Sequence, residues 1–334
     1  MDITTSPLLT STTTFGYYYR NAIATISTTG SKFFTSDGDQ FFIKGVAYQL
    51  TEADPLIDTK QCQLDASLMK TLGANAIHAG VYLFLDLDTF NTAITPTDAT
   101  WNQGQYTAFG KVMDAFAKYD NTLGFFVGNE VIAMNNQSLA APFIKAAARD
   151  MKAYRNSKGY REIPIGYSAA DIAELRPMLQ NYLACGTNAS ETIDFFGLNA
   201  YEWCGDNQAA ILGPEMDDQW SGAIVYEWIE EANDYGLISY GSTVAATVVA
   251  SGVAGGYSRA GTPTPVSPDF ANLQSQWSTL TPTGVASSAY SPTLTPPACP
   301  ASTSGGWVGA SGGKEITGMS VGLAAVMFGF MYWL

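Results

Sequence analysis

The stretch TLGFFVGNEVI, residues 122–132, decides the fold. Residues 123–127 are apolar or glycine without a break, so a strand here needs cover on both faces, as in a parallel sheet. The run ends on Gly128-Asn129-Glu130, which delivers an amide and a carboxylic acid together at the strand's C-terminal end. In a (β/α)8 barrel, chemistry sits at those ends. An Asn-Glu pair there suits glycoside cleavage: the Glu protonates the leaving oxygen and the Asn holds a sugar hydroxyl. A strand that simply leaves the sheet into a polar loop would look the same, so the pair gains weight from what surrounds it.

Outward from this strand the same alternation repeats. Upstream, residues 41–49 (FFIKGVAYQ) read as a buried strand closed by polar residues, and 65–72 as a helix stopped by Gly73. Residues 74–77 and 81–87 read as the next two strands, the latter running into Asp86 and Asp88. Residues 106–118 have helical apolar spacing at Phe109, Val112, Met113 and Phe116. Downstream, 140–154 read as an Ala-rich helix, 163–167 as a strand, 176–183 as a helix, and 194–201 and 223–228 as strands. Strands alternating with helices imply a parallel sheet. Polar residues at the strand ends favour a barrel over an open sheet. About seven strands are legible, against the eight a closed barrel needs. The sequence therefore predicts an α/β chain of (β/α)8 TIM-barrel type, incomplete by a strand.

Composition narrows the chemistry. The 334 residues carry a net charge of −14, which argues against nucleic acid as a partner. His78 is the single histidine, and no G-x-S-x-G elbow is present, so a Ser-His-Asp triad has little to rest on. A zinc site of several His is impossible, and Cys62, Cys185, Cys204 and Cys299 lack C-x-x-C spacing. No phosphate-binding glycine loop appears. Carboxylates remain for acid–base work, with no cofactor and no metal expected. Four scattered Cys suit disulfides in a secreted protein. Two sequons, at Asn136 and Asn188, agree with that.

The two ends of the chain conflict. Residues 1–30 show no basic and apolar leader of the secretory kind, because Ser and Thr interrupt every apolar pair. Residues 31–285 hold the barrel pattern. Residues 286–313 are rich in Ser, Thr, Pro and Gly and read as a stalk open to O-glycosylation. Residues 316–334 are then apolar and uncharged. Small residues, a spacer and a terminal apolar tail form a GPI-attachment signal, so 314–334 are expected to be such a signal, removed on processing. An ordinary tail anchor is the rival, and the missing basic flank speaks against it.

Several motifs together now resemble a known family. GVAYQLTEADPLID, CQLDASLMKTLGANAI, YLFLDLDTFNTAI, NTLGFFVGNEVI, FFGLNAYEWCG and WSGAIVYEW are similar to the fungal 1,3-beta-glucanosyltransferases of glycoside hydrolase family 72. These are GPI-anchored enzymes that elongate beta-1,3-glucan in the cell wall. The resemblance runs from about residue 31 to about 285. It implies a (β/α)8 barrel and a retaining mechanism with two glutamates, in which an acceptor glucan takes the place of water. It places the acid/base at Glu130 and a sugar-holding amide at Asn129. Gln49, Asp86, Asp88, Asp171, Arg176, Tyr201 and Tyr226 fall on positions that line the sugar cleft. Each also has an ordinary reading: strand-end polar residues, a surface ion pair of Asp171 with Arg176, and core tyrosines. Donor and acceptor beta-1,3-glucan chains and a GPI-anchored place at the cell surface follow from the resemblance.

Two pieces of the family pattern are missing. Between Ile77 and Tyr82 the family has a longer crossover, where this chain has only His78-Ala79-Gly80-Val81. Parallel neighbours ordinarily need a crossover of about a dozen residues. Either the two runs fuse into one strand or one is displaced. Between Trp203 and Trp220 the family has a strand ending in Ser-Glu-Tyr-Gly-Cys-Asn, whose Glu is the nucleophile, and this chain has no such motif. A retaining enzyme needs its carboxylates about 5–5.5 Å apart. Glu202, Glu215 and Glu227 are the substitutes on offer. Glu227 follows Tyr226, so strand alternation points it away from the cleft if Tyr226 faces in. The resemblance also implies that Cys62 and Cys204 lose their partners with the missing pieces, while Cys185 and Cys299 can still pair. The first expectation is a glucanosyltransferase with Glu130 as acid/base. The second is an inactive glucan-binding wall protein or a shortened, non-functional gene product.

Overall fold

The computed structural model describes residues 23–50, 58–77, 82–89, 91–201, 207–303, 306–307 and 324–329. The fold is a parallel barrel with a plug beneath it. The chain enters as a hairpin, β1 (Ile26–Thr29) antiparallel to β2 (Lys32–Thr35). Phe33 on β2 is fully buried and meets the rings of Phe84 and Phe195 at 6.1 and 5.8 Å. Phe195 opens its strand, so this hairpin closes the barrel's N-terminal end.

The barrel strands are β3 (Ile43–Val46), β4 (Ala76–Ile77), β5 (Tyr82–Asp86), β6 (Thr122–Asn129), β7 (Ile165–Ala170), β8 (Phe195–Ala200) and β9 (Gly222–Val225). Helices α1 (Thr59–Leu72), α2 (Gln103–Phe116), α3 (Ala141–Ser157), α4 (Arg176–Ala184) and α5 (Asn207–Ile211) lie between them, and α6 (Asp269–Thr279) follows. Short pairs β10 (Ile238–Ser239) with β13 (Thr264–Pro265), β11 (Val253–Ala254) with β12 (Tyr257–Ser258), and β14 (Ser302–Thr303) with β15 (Gly306–Trp307) decorate the later chain. The last described strand is β16 (Ala324–Gly329).

All the barrel pairings are parallel, and the order β16-β8-β7-β6-β5-β4-β3-β9 closes on itself. The seven strands legible in the sequence are therefore all present. The eighth place, between β8 and β9, is taken by β16, which falls inside the stretch read as an anchor-attachment signal. Among the described residues no helix is long and apolar enough to cross a membrane.

The short join before Tyr82 does not fuse β4 with β5. The two pair in parallel, Ala76↔Tyr82 and Ile77↔Leu83. The crossover rule assumes strands of ordinary length, and β4 has only two residues. The chain then has only about 7 Å of strand to run back, at about 3.3 Å per residue. His78 lies outside the described residues.

Local chemistry explains the element ends. Helix α1 starts well before residue 65 because Asp58 caps it, accepting from the backbone N–H of Lys60 and Gln61 at 2.9 and 3.1 Å. It stops at Gly73, whose φ of 96° is the left-handed conformation glycine adopts freely. Asn102 and Gln105 form a reciprocal capping box at the start of α2. Inside the barrel, a Cβ added at Gly166 would stand 2.6 Å from the Phe195 ring. Glycine there is what lets that ring lie across the barrel floor.

Behind β3 a buried polar knot ties three elements together. Asp65 of α1 accepts from the hydroxyls of Tyr48 (2.8 Å) and Tyr240 (2.7 Å) and from Gln61 Nε2. Trp228 Nε1 donates to Tyr240 Oη at 3.2 Å. Burial raises the Asp65 pKa although these donors oppose the shift. Tyr48 precedes Gln49 and Trp228 lies two residues past Tyr226, so the knot holds the backbone behind two strand ends.

The segment after residue 285 also makes contacts with the barrel body. Tyr290 packs on Phe34 with centroids 5.6 Å apart. Cys299 is bonded to Cys185, as the sequence allowed. Trp307 is buried, and its ring meets Tyr182 at 5.9 Å. Cys62 is buried, and Cys204 lies outside the described residues.

Candidate active site

The C-terminal ends of the strands surround one cleft. Its wall includes Gln49 after β3, Asp86 on β5, Asn129 on β6, Ser168 on β7, Asn199 on β8, and Tyr201 and Tyr226 beyond β8 and β9. Phe84 and Phe126 form part of its floor, on top of the aromatic plug.

Glu130 stands at the rim, exposed, one residue past β6. The pairing of β6 with β7 shifts register between Phe126 and Asn129. Beyond that shift Glu130 adopts φ 49°, a left-handed conformation that a side chain rarely takes. Its N–H donates to Ser168 O at 2.9 Å, which holds the turn. Strained backbone of this kind gathers at functional sites.

Asn199 links the rim to the wall. Its Nδ2 donates to Glu130 Oε1 at 2.6 Å and to Asn129 Oδ1 at 3.0 Å. Its Oδ1 accepts from Ser168 Oγ at 2.6 Å. The opposite amide orientation would set an oxygen against two acceptor oxygens, so the contacts fix which way the amide points. The sequence reading did not single out Asn199 or Ser168. Their signal was a polar residue inside an otherwise apolar strand (FFGLNA and IGYSAA), where nothing but a partner would justify it.

The other carboxylates differ in reach. Burial raises the Asp86 pKa to about 6. Asp88 is raised to about 7, first by burial and then by the charge of Asp86. Of the two, Asp86 is in the cleft wall and Asp88 is not. Glu227, beside the wall residue Tyr226, is itself not in the cleft wall. It is 1% exposed and accepts from Asn233 Nδ2 at 2.9 Å. Burial lifts Glu227 to about 7. The charges of Glu130 and Glu227 both reach Tyr201, which burial first and then these charges raise to about 12. Tyr201 and Tyr226 meet edge to face, with centroids 6.3 Å apart. Glu215 is exposed in the segment feeding the N-terminal end of β9, away from the cleft. Glu202 lies outside the described residues.

Asp171 and Arg176 form an ion pair at 2.9 Å past the end of β7, and neither is in the cleft wall. Asn136 and Asn188 are both exposed.

A carboxylic acid held by an amide at the C-terminal rim of a parallel barrel, facing tyrosines and a second carboxylate, defines a glycoside-cleaving barrel as the class. Residues 17–79 and 77–213 match a family profile described as Glucanosyltransferase, glycoside hydrolase family 72. The 1,3-beta-glucanosyltransferase gas2 of Schizosaccharomyces pombe is 32% identical over 386 residues, covering 94% of this chain and 79% of its own. Protein EPD1 of Candida maltosa is 35% identical over 288 residues, covering 67% of this chain and 52% of its own. Among solved structures, Saccharomyces cerevisiae Gas2p in complex with laminaritriose and laminaritetraose aligns with a TM-score of 0.72 and 30% identity, over 85% of this chain and 75% of that one. The chain belongs to the glucanosyltransferase family, and is by family a glycoside hydrolase and transglycosylase.

The matches also bear on the gaps. The two profile matches meet at residues 77–79, on the short join, and the second stops at 213, inside the other gap. The alignment with gas2 is longer than this chain, so that relative carries residues this chain lacks.

Proposed function

We propose that this protein cleaves beta-1,3-glucan chains and rejoins them to an acceptor glucan. The observation that carries the proposal is the hydrogen-bonded set of Glu130, Asn129 and Asn199 at the rim of a cleft lined by Tyr201 and Tyr226. Glu130 protonates the leaving glycosidic oxygen as its bond to the anomeric carbon breaks, and it takes the proton of the acceptor hydroxyl as that oxygen bonds to the oxocarbenium-like carbon. Asn129 holds a hydroxyl of the sugar being transferred. Tyr201 and Tyr226 offer ring faces to neighbouring sugars, and Gln49 a further hydrogen bond. Gas2p, a relative, is described in complex with laminari-oligosaccharides, which supports glucan as the ligand.

The strand in the eighth place brings no second glutamate, because Ala324–Gly329 reads AAVMFG. Asp86 is then the carboxylate of the wall that faces the developing positive charge. Asp88, Asp171 and Arg176 are outside the cleft wall and are assigned no step in the transfer.

The sequons at Asn136 and Asn188, the Ser/Thr-rich segment 286–313 and the apolar tail support a glycosylated protein at the cell surface, attached by GPI when the tail is processed. The purified chain, incubated with a reduced laminari-oligosaccharide, tests the activity. Products both longer and shorter than the substrate support transfer. Only shorter products would mean hydrolysis, and an unchanged substrate would refute the proposal.

A further inference from the structure

Strand β16 is far in sequence from the strands it joins. It pairs with β8 over six positions, from Ala324↔Phe195 to Gly329↔Ala200. It pairs with β9 over three, from Met327↔Ala223 to Gly329↔Val225. In the sheet order β8 and β9 do not touch each other. Without β16, both would present a row of unpaired backbone N–H and C=O groups. A barrel cannot close with one strand place empty.

The gap matters for the cleft because each side of it carries wall residues. Asn199 is on β8, and Ile224 and Tyr226 are on and beyond β9. Neighbouring strands stand about 4.8 Å apart, so one inserted strand sets the two walls about 10 Å from each other. The route to the gap is prepared by the preceding segment. Cys299 is bonded to Cys185, which ends α4 shortly before β8 begins. Trp307 N–H donates to Ser138 Oγ at 3.1 Å and its ring packs on Tyr182. Residues 299 and 307 are thus held against the barrel. The 16 residues from 308 to 323 then span at most about 55 Å, ample for reaching the start of a six-residue strand.

We propose that Ala324–Gly329 is a conditional eighth strand: while the tail is retained it closes the barrel and fixes the cleft, and its removal opens the gap between β8 and β9. Closure and anchor attachment then draw on the same residues, and a chain can have one or the other. The strand supplies backbone pairing and no carboxylate, which separates barrel closure from the chemistry of the cleft.

The test compares the full chain with one ending at Leu323 and with the full chain carrying Met327→Pro. Proline at 327 removes a ladder N–H from a strand paired on both sides. Thermal unfolding and amide exchange at residues 195–200 and 222–225 are read for each. The proposal expects one sharp transition and slow exchange for the full chain. It expects both variants to lose at least about tenfold in protection at those two strands, or to lose the cooperative transition. A synthetic peptide of residues 320–331 with a solubilising lysine tag should restore protection to the shortened chain. Unchanged melting and protection in both variants would overturn the proposal. So would loss in the shortened chain alone, because the segment would then act by something other than its strand pairing.

Discussion

Asn199 Nδ2 sits between Glu130 Oε1 and Asn129 Oδ1, at 2.6 and 3.0 Å, and binds the rim acid and its neighbouring amide with one group. The contact joins β8 to the end of β6 across β7, and Ser168 of β7 holds the other end of the amide. The acid is thereby placed by the barrel and not by its own exposed side chain. A one-ångström misplacement of a catalytic group is enough to slow a reaction by about a hundredfold.

Asn199→Ala should therefore reduce glucan transfer about 10- to 100-fold through kcat, with a smaller change in KM. Asn199→Asp should shift the pH–rate profile upward, because a second carboxylate beside Glu130 disfavours its ionised form. Rate profiles of the two variants against the parent check this. A uniform loss with an unmoved profile for Asn199→Asp would deny Asn199 its contact with the acid.

Glu227 sets a pH dependence of stability. Its folded pKa, about 7, lies above its unfolded value of 4.5. Below about 4.5 the group is protonated in both states and burial is harmless. Between about 4.5 and 7 the unfolded chain loses the proton first, so stability falls as pH rises, and above 7 the loss is complete. The effect is on the order of 3–4 kcal/mol, since one pKa unit is about 1.4 kcal/mol. Denaturant melts of Glu227→Gln at pH 4.5 and pH 7.5 should differ less than those of the parent. An equal difference would place the dependence elsewhere.

The barrel floor depends on the fit of Phe195 over Gly166. A Cβ at 166 would stand 2.6 Å from the ring. Gly166→Ala should cost about 1–3 kcal/mol through overpacking, and Phe195→Ala about 3–5 kcal/mol through the cavity it leaves. Urea unfolding of each gives the values. Because both residues touch, the double variant should be less damaging than the sum of the two.

The bond between Cys185 and Cys299 closes a loop with a sequence separation of 114. Replacing both with Ser should destabilise the protein by about 2–4 kcal/mol, chiefly by freeing the unfolded chain. A lower Tm for the double variant, matched by the parent under reducing conditions, is the expected result.

What the sequence made legible follows from where its signals are strong. Strand β6 and its Asn129-Glu130 end were readable because a strand buried on both faces has no polar residue until it leaves the sheet. The helices were readable from their apolar spacing, though α1 began earlier than its apolar residues because Asp58 caps it. Asn199 was not readable as a site residue, because one polar residue in an apolar strand shows its purpose only when its partners are in place. Strand β16 was hidden for a different reason. A central barrel strand and an anchor-signal tail are both unbroken apolar runs, and composition does not separate six such residues inside nineteen.

The measurement that tests the account most directly is glucan transfer by the parent and by Glu130→Gln, side by side on a reduced laminari-oligosaccharide. Gln keeps the shape and an acceptor oxygen toward Asn199 but has no acidic proton to give. The account predicts longer and shorter products from the parent, a loss of about 10²–10⁴-fold in the variant, and glucan binding retained by both. Equal rates for the two proteins would contradict it, as would a parent that leaves the substrate unchanged.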